Sequence, residues 1–209
     1  MRGIRRTLGT APKRAAPATS DRIIAMAPQP DGSLATLRDR SLLLLGFAGA
    51  LRRSELVTLN VDDIEEVAEG LRVTIRRGKT DQEARGAVIA IVRGEIACPV
   101  AALRAWLEAA NIAEGPVFRR VRRGDHVQPE RLTDRSVANI VKTHAKRAGL
   151  DPTMFAGHSL RAGFLTSAAR RGATVFKMMA TSRHRSVETV TAYVRDQELF
   201  KDHAGAGLL

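Results

Sequence analysis

The sequence predicts a mainly α-helical domain with one small antiparallel β-sheet, an α+β arrangement. Three observations predict it. Long stretches carry apolar residues at helical spacing, among them "CPVAALRAWLEAA" and the run from Thr133 to Ala148. One stretch alternates strictly, "LRVTIR", and "AVIAIV" follows it across a polar connection. With 209 residues, 44 % hydrophobic and 27 % charged, the chain can build a substantial core and lacks the composition of a disordered protein.

The elements follow in order. Residues 1 to about 20 carry five basic residues and no acid before "AAPATS", so residues 1–33 read as a basic arm and linker. Residues 34–196 read as the functional domain and 197–209 as a short tail. From Thr36 to Leu51 the pattern is apolar on nearly every side, which predicts a buried central helix. Arg52 and Arg53 form a turn into the short helix "SELVTL". Leu71, Val73 and Ile75 share one strand face, and "RGKTDQEARG" is a polar hairpin connection to Ala87–Val92. Pro99 opens a helix with Val100, Leu103, Leu107 and Ala110 in a stripe. "VFRRVRRGDHVQPER" shows no clear period and reads as a basic loop. Val137, Ile140, Val141, His144, Ala145 and Ala148 then line one helix face, with Gly149 as the stop. Three short helices complete the reading: Ser159 to Arg171, Ala173 to about Ala180, and Ser186 to Val194.

Charge narrows the function. Lys plus Arg number 34 against 22 for Asp plus Glu, a net +12. Such an excess favours a polyanionic partner, because each neutralised phosphate releases counterions. Nucleic acid is favoured over anionic membrane, since no segment pairs a basic face with exposed Trp or Phe. The longest apolar run, "LLLLGFAGAL", is ten residues, about half of what a bilayer requires. Cys98 is the single cysteine, which excludes an internal disulfide and a Cys-based zinc site and is consistent with a reducing cytosol. "MRGIRRTLGTAPKR" lacks the apolar core of a secretory signal.

Several residues are candidates for chemistry. In "HSLRAGF", His158 and Arg161 stand three apart at a helix start, a geometry suited to an anion or to plain capping. Arg52 and Arg53 in "GALRRSEL" border an apolar helix, where a buried Arg needs an anionic partner; Glu55 is the structural option. Lys79 in "RRGKTD" is a solvated charge unless its loop bends over a substrate, where it would donate a proton to a leaving oxygen. Tyr193, the only tyrosine, stands nine residues after His184. Val187, Val190, Thr191 and Val194 form the predicted buried stripe of its helix, and Tyr193 falls about 110° from the stripe's centre, at its accessible border. His144 reads as a satisfied core histidine. "VDDIEE" holds four carboxylates, raw material for a metal-dependent nuclease or, more commonly, a solvated edge. There is no P-loop, no dinucleotide fingerprint and no HExxH.

Taken together, "GALRRSELVTL", "GKTDQ", "HSLRAGF" and "RHRSVETVTAY" resemble the catalytic domain of the tyrosine site-specific recombinases, the phage-type integrases, over roughly Arg38 to Asp196. The resemblance implies the matching fold and a DNA strand-transfer activity without metal, ATP or cofactor. It casts Tyr193 as the nucleophile that forms a 3′-phosphotyrosyl link, and Arg52 and Arg161 as clamps on the non-bridging oxygens. Lys79 would protonate the departing 5′-oxygen, His158 would assist proton transfer at the tyrosine, and His184 would hydrogen-bond the phosphate. It further implies duplex DNA as substrate, other recombinase protomers in a tetrameric synapse, no membrane partner, and a cytoplasmic, nucleoid-associated setting in bacteria. Arg53, Arg77, Arg119, Arg120, Arg122, Arg123, Arg183 and Arg185 are candidate DNA contacts. The pattern departs from the family's at Arg183, where a glycine usually precedes the histidine. A basic arm stands where relatives carry a helical clamp domain, and 16 residues follow Tyr193. The alternative reading is a truncated, non-catalytic DNA-binding remnant or regulator.

Overall fold

A run of four leucines with no polar break has to be covered on all sides, and it forms the central element. A computed structural model describes residues 15–76 and 86–198. In it Leu42, Leu43, Leu44 and Leu45 are all buried on helix α2 (Leu34–Ala48), which follows the short α1 (Ser20–Met26). Helix α2 ends in a Schellman turn, with Leu51 N–H donating to Gly46 O and Ala50 N–H to Phe47 O. Ala50 occupies the left-handed position of that turn at φ 45°. Helix α3 (Arg53–Thr58) follows directly.

A three-stranded antiparallel sheet is inserted next: β1 (Ile64–Val67), β2 (Gly70–Ile75) and β3 (Ala87–Val92), in spatial order β1-β2-β3. Leu71 lies opposite Ile91, Val73 opposite Ile89 and Ile75 opposite Ala87. The period of two places Leu71, Val73, Ile75, Ile89 and Ile91 on the core face. Helix α4 (Pro99–Ala109) packs along α2 and buries Val100, Leu103 and Trp106, whose indole N–H donates to Val117 O at 2.9 Å.

The remaining elements are β4 (Arg119–Arg122), β5 (His126–Arg131), α5 (Asp134–Arg147), α6 (Ser159–Arg170), α7 (Val175–Ser182) and α8 (Val187–Glu198). Thr133 caps α5 by accepting from Ser136 N–H at 3.2 Å. The α5 face of Val137, Ile140, Val141, His144 and Ala145 is buried as its spacing predicts, and His144 Nε2 meets Asp39 Oδ2 at 2.9 Å. A smaller apolar cluster of Leu165, Ala169, Met178 and Val190 joins α6, α7 and α8, and Tyr193 packs against its edge.

Four expectations are corrected. Packed structure begins well before residue 34: Ala18, Ile23 and Met26 are core residues, and Ala18 N–H donates to Ser159 O at 2.9 Å. Only part of residues 1–33 is therefore left for an arm. The close approach depends on Gly163, where a Cβ would sit 1.9 Å from Ala18 O. The basic "loop" is a hairpin, β4 paired with β5 across a turn with Gly124 and Asp125 at positive φ. Its signal is faint because Val121 and Val127 are its only apolar cross-strand pair. "VDDIEE" contributes a third strand, and three of its acids are engaged in ion pairs, Glu65 with Arg72 at 3.4 Å among them. Asp63 accepts from Arg76 and from Asn60 N–H, and Glu66 pairs with Arg93 and Arg104. Finally, Val187 is 44 % exposed, so the buried stripe of α8 centres on Val190.

Candidate active site

Helix α6 carries the most unusual side chain in the molecule, a fully buried arginine. Arg161 is 1 % exposed, and Leu160 and Ala162 beside it are also buried. A guanidinium in that setting needs acceptors. Its Nη1 donates to Ala50 O at 2.7 Å, the carbonyl of the left-handed residue that closes α2. Its Nη2 lies against the His184 ring, 3.2 Å from Nδ1 and 3.4 Å from Nε2. Burial first, then the charges of Arg52 and Arg183, lower its pKa to about 10, so it stays cationic at neutral pH. Strain at Ala50 thus aims a carbonyl that fixes the arginine.

Arg52 is the residue before α3. Glu55, three positions on and 3 % exposed, accepts from Arg52 backbone N–H at 2.8 Å and from Arg52 Nη1 at 2.5 Å. This is the capping geometry of a helix start. Burial works to raise the Glu55 carboxyl, but the charge of Arg183 and the hydrogen bonds and charge of Arg52 outweigh it and hold it below the usual carboxylate range.

The turn after α7 supplies two more groups. Arg183 sits at φ 59°, ψ 34°, the left-handed region that glycine favours. Its Nη2 donates to Glu55 Oε2 at 2.6 Å and its Nη1 to Thr181 O at 2.7 Å. His184 follows, its Nδ1 within 2.8 Å of Ser182 Oγ. Burial, then Arg161, Arg52, His158 and Arg183, lower the His184 pKa to about 4, so its ring is neutral at pH 7. His158, at the N-terminus of α6, is held below the usual histidine range by desolvation first and then by Arg161 and Arg52. Tyr193 is half-buried on α8, and its phenolic charge would fall within the electrostatic reach of Arg161.

Of the sequence-derived site, the fold brings Arg52, His158, Arg161, His184 and Tyr193 into one neighbourhood. Lys79 and Arg77 lie outside the described residues, although β2 and β3 pair on both sides of the segment that holds them. The other arginines part company. Arg53 pairs with Asp134 at 3.2 Å, and Arg119 spends donors on Pro116 O and Glu114 O at 3.1 and 2.5 Å. Arg120, Arg122, Arg123 and Arg185 are exposed. Sequence reasoning missed the role of Arg183 as the second cation on Glu55 and the Ala50 carbonyl under Arg161. The arginine in a usual glycine place was the one visible sign of the first. Among the described residues no group of three or more His, Cys, Asp or Glu is placed to hold a metal.

The fold and site define a mostly helical domain that gathers three guanidinium groups and two neutral imidazoles beside its single tyrosine. The chain belongs to the phage integrase family, whose model matches residues 16–199. It is 41 % identical over 208 residues to an integrase/recombinase xerD homolog of Selenomonas ruminantium, covering 98 % of this chain and 61 % of that protein. It is 32 % identical to the tyrosine recombinase XerD of Xanthomonas axonopodis pv. citri, covering 89 % of this chain and 61 % of the relative. The chain thus spans about three-fifths of the length of these curated relatives. Its fold matches that of the XerH site-specific recombinase in a post-cleavage complex with palindromic difH substrate. The TM-score is 0.71 at 16 % identity, over 96 % of this chain and 54 % of the other.

Proposed function

We propose that this chain is the catalytic part of a site-specific DNA recombinase that cuts and rejoins single strands without metal or cofactor. Tyr193 Oη attacks a backbone phosphorus. The P–Oη bond forms, the P–O5′ bond breaks, and a 3′-phosphotyrosyl link and a free 5′-hydroxyl result. A 5′-hydroxyl from a partner strand then attacks the link, restores the phosphodiester and frees the tyrosine, so no external energy is consumed.

The observation that carries this reading is the buried Arg161, anchored on Ala50 O and His184 and within electrostatic reach of Arg52 and Tyr193. A phenol with an ordinary pKa near 10 is a weak nucleophile until cations stabilise its phenolate. Charge that gathers on the non-bridging oxygens suits two preorganised guanidinium groups. His184, neutral at pH 7, serves as a hydrogen-bonding group rather than a cation. His158 takes the tyrosine proton and Lys79 protonates the departing 5′-oxygen. Duplex DNA is the substrate, and protomers assemble on it as a tetramer in the cytoplasm. No helix among the described residues is long and apolar enough to cross a membrane.

The test is covalent capture. A pool of nicked duplexes with randomised cores is incubated with the protein, and detergent-resistant protein–DNA species are isolated and sequenced. Wild type yields an enriched core and Tyr193→Phe yields none. If wild type binds DNA and no adduct accumulates from any core, the chain is a DNA-binding module and the catalytic reading fails.

A further inference from the structure

Arg183 stands where the backbone asks for glycine, and it spends its charge on Glu55 rather than on solvent. At φ 59° any side chain is strained, whereas glycine is not. The side chain is nearly enclosed, 13 % exposed, and its Nε is buried with no partner. Something outweighs that strain. The Glu55 carboxylate is divided between two cations, Oε1 with Arg52 Nη1 at 2.5 Å and Oε2 with Arg183 Nη2 at 2.6 Å. Arg183 Nη1 also reaches Gly49 O at 3.4 Å, at the turn that holds Ala50.

Charge counting shows the consequence. Arg52 with Glu55 alone is a closed ion pair of zero net charge, a poor magnet for a phosphate. With Arg183 added, the trio Arg52–Glu55–Arg183 carries one net positive charge, and Arg52 is no longer the sole counter-ion of the buried carboxylate. We propose that Arg183 is a positioning residue that neutralises Glu55, so that Arg52 keeps its cationic character for a phosphate while Glu55 still holds it in place. It also ties the turn bearing His184 to helix α3. This inference rests on the reading of the site as phosphate-binding.

Inorganic phosphate is a probe that needs no DNA sequence and no chemistry. It is titrated at low ionic strength into the full chain, with the arginine side-chain N–H signals as readout, for wild type, Arg183→Gly, Arg183→Gly/Glu55→Gln and Arg52→Ala. Arg183→Gly removes the backbone strain, and a melting curve is recorded alongside to check that it folds. Its phosphate affinity should fall on the order of fivefold, the effect of one charge a few ångströms away. Adding Glu55→Gln, which removes the carboxylate charge and keeps an acceptor, should restore affinity to near wild type. A purely structural Arg183 would make the double variant as weak as Arg183→Gly or weaker, and that result overturns the proposal. So does phosphate binding in wild type that Arg52→Ala leaves unchanged. Covalent DNA capture by wild type is scored separately. Its absence with the phosphate order intact removes the recombinase reading and leaves the role of Arg183 standing.

Discussion

Arg161 is the residue on which the proposed chemistry leans most, and its burial carries a cost in stability. It is a buried cation whose nearest partners are a carbonyl and a neutral ring, with Arg52 and Arg183 repelling it from nearby. A buried cation with no carboxylate partner costs roughly several kcal/mol in desolvation, and an apolar side chain of similar volume removes that cost. Arg161→Met should therefore hold or raise the melting temperature while lowering the cleavage rate roughly 10²–10³-fold, the usual cost of one preorganised oxyanion donor. A variant that unfolds, or one that still cleaves at the wild-type rate, contradicts the assignment. His184 gives a second residue-scale prediction. Its folded pKa of about 4 lies below its ordinary 6.5, so the unfolded chain takes up a proton that the native site refuses. Its effect is absent well above pH 6.5, and stability falls as pH drops from 6.5 toward 4. Thermal melts across that window should show a shallower decline for His184→Gln than for wild type. His158, depressed in the same direction, leaves part of the slope in place. At this scale the sequence was legible where a pattern isolates a residue. Tyr193 stood off its helix stripe, and His144 stood inside one. Arg183 was visible only as an anomaly, because its partner Glu55 is 128 positions away and no local spacing links them.

At the scale of elements, helices were readable because burial on one face leaves a period of 3.6 in the sequence. The α5 stripe and the Pro99 start of α4 show this directly. The β4–β5 hairpin escaped because charged residues occupy both of its faces, so no alternation survives. The boundary of the N-terminal segment escaped for a different reason: its docking is made by backbone. Ala16 N–H donates to Met154 O at 2.7 Å, Ala18 N–H to Ser159 O at 2.9 Å and Ser20 N–H to Ser167 Oγ at 2.9 Å. These bonds strap residues 16–20 across α6, the helix that carries Arg161, and the Pro152–Met154 turn before it. Gly163→Ala would push a methyl into Ala18 O. We expect a loss of about 2 kcal/mol or more, read as a fall of roughly 4–8 °C in the melting temperature. An unchanged melt would mean that the strap is not part of the folded core.

For the whole molecule, a net +12 and a cation-lined site point the same way. Binding to duplex DNA should fall roughly 10³-fold between 50 and 200 mM salt, as expected for at least six phosphate contacts. A flat salt response would remove the electrostatic basis of the proposal. What net charge does not encode is which bases are read, because that information lies in groove contacts and DNA shape. The proposed site is assembled from distant pieces of chain, α2–α3, α6, the turn after α7, and α8, and the order of residue types along the sequence singled those pieces out before their geometry was known. Peptide mapping of the covalent complex identifies the nucleophile itself. Nuclease-trimmed nucleotide mass should appear on the peptide containing Tyr193 and disappear in Tyr193→Phe. An adduct on any other residue, or none with a cleaved strand present, would contradict that assignment.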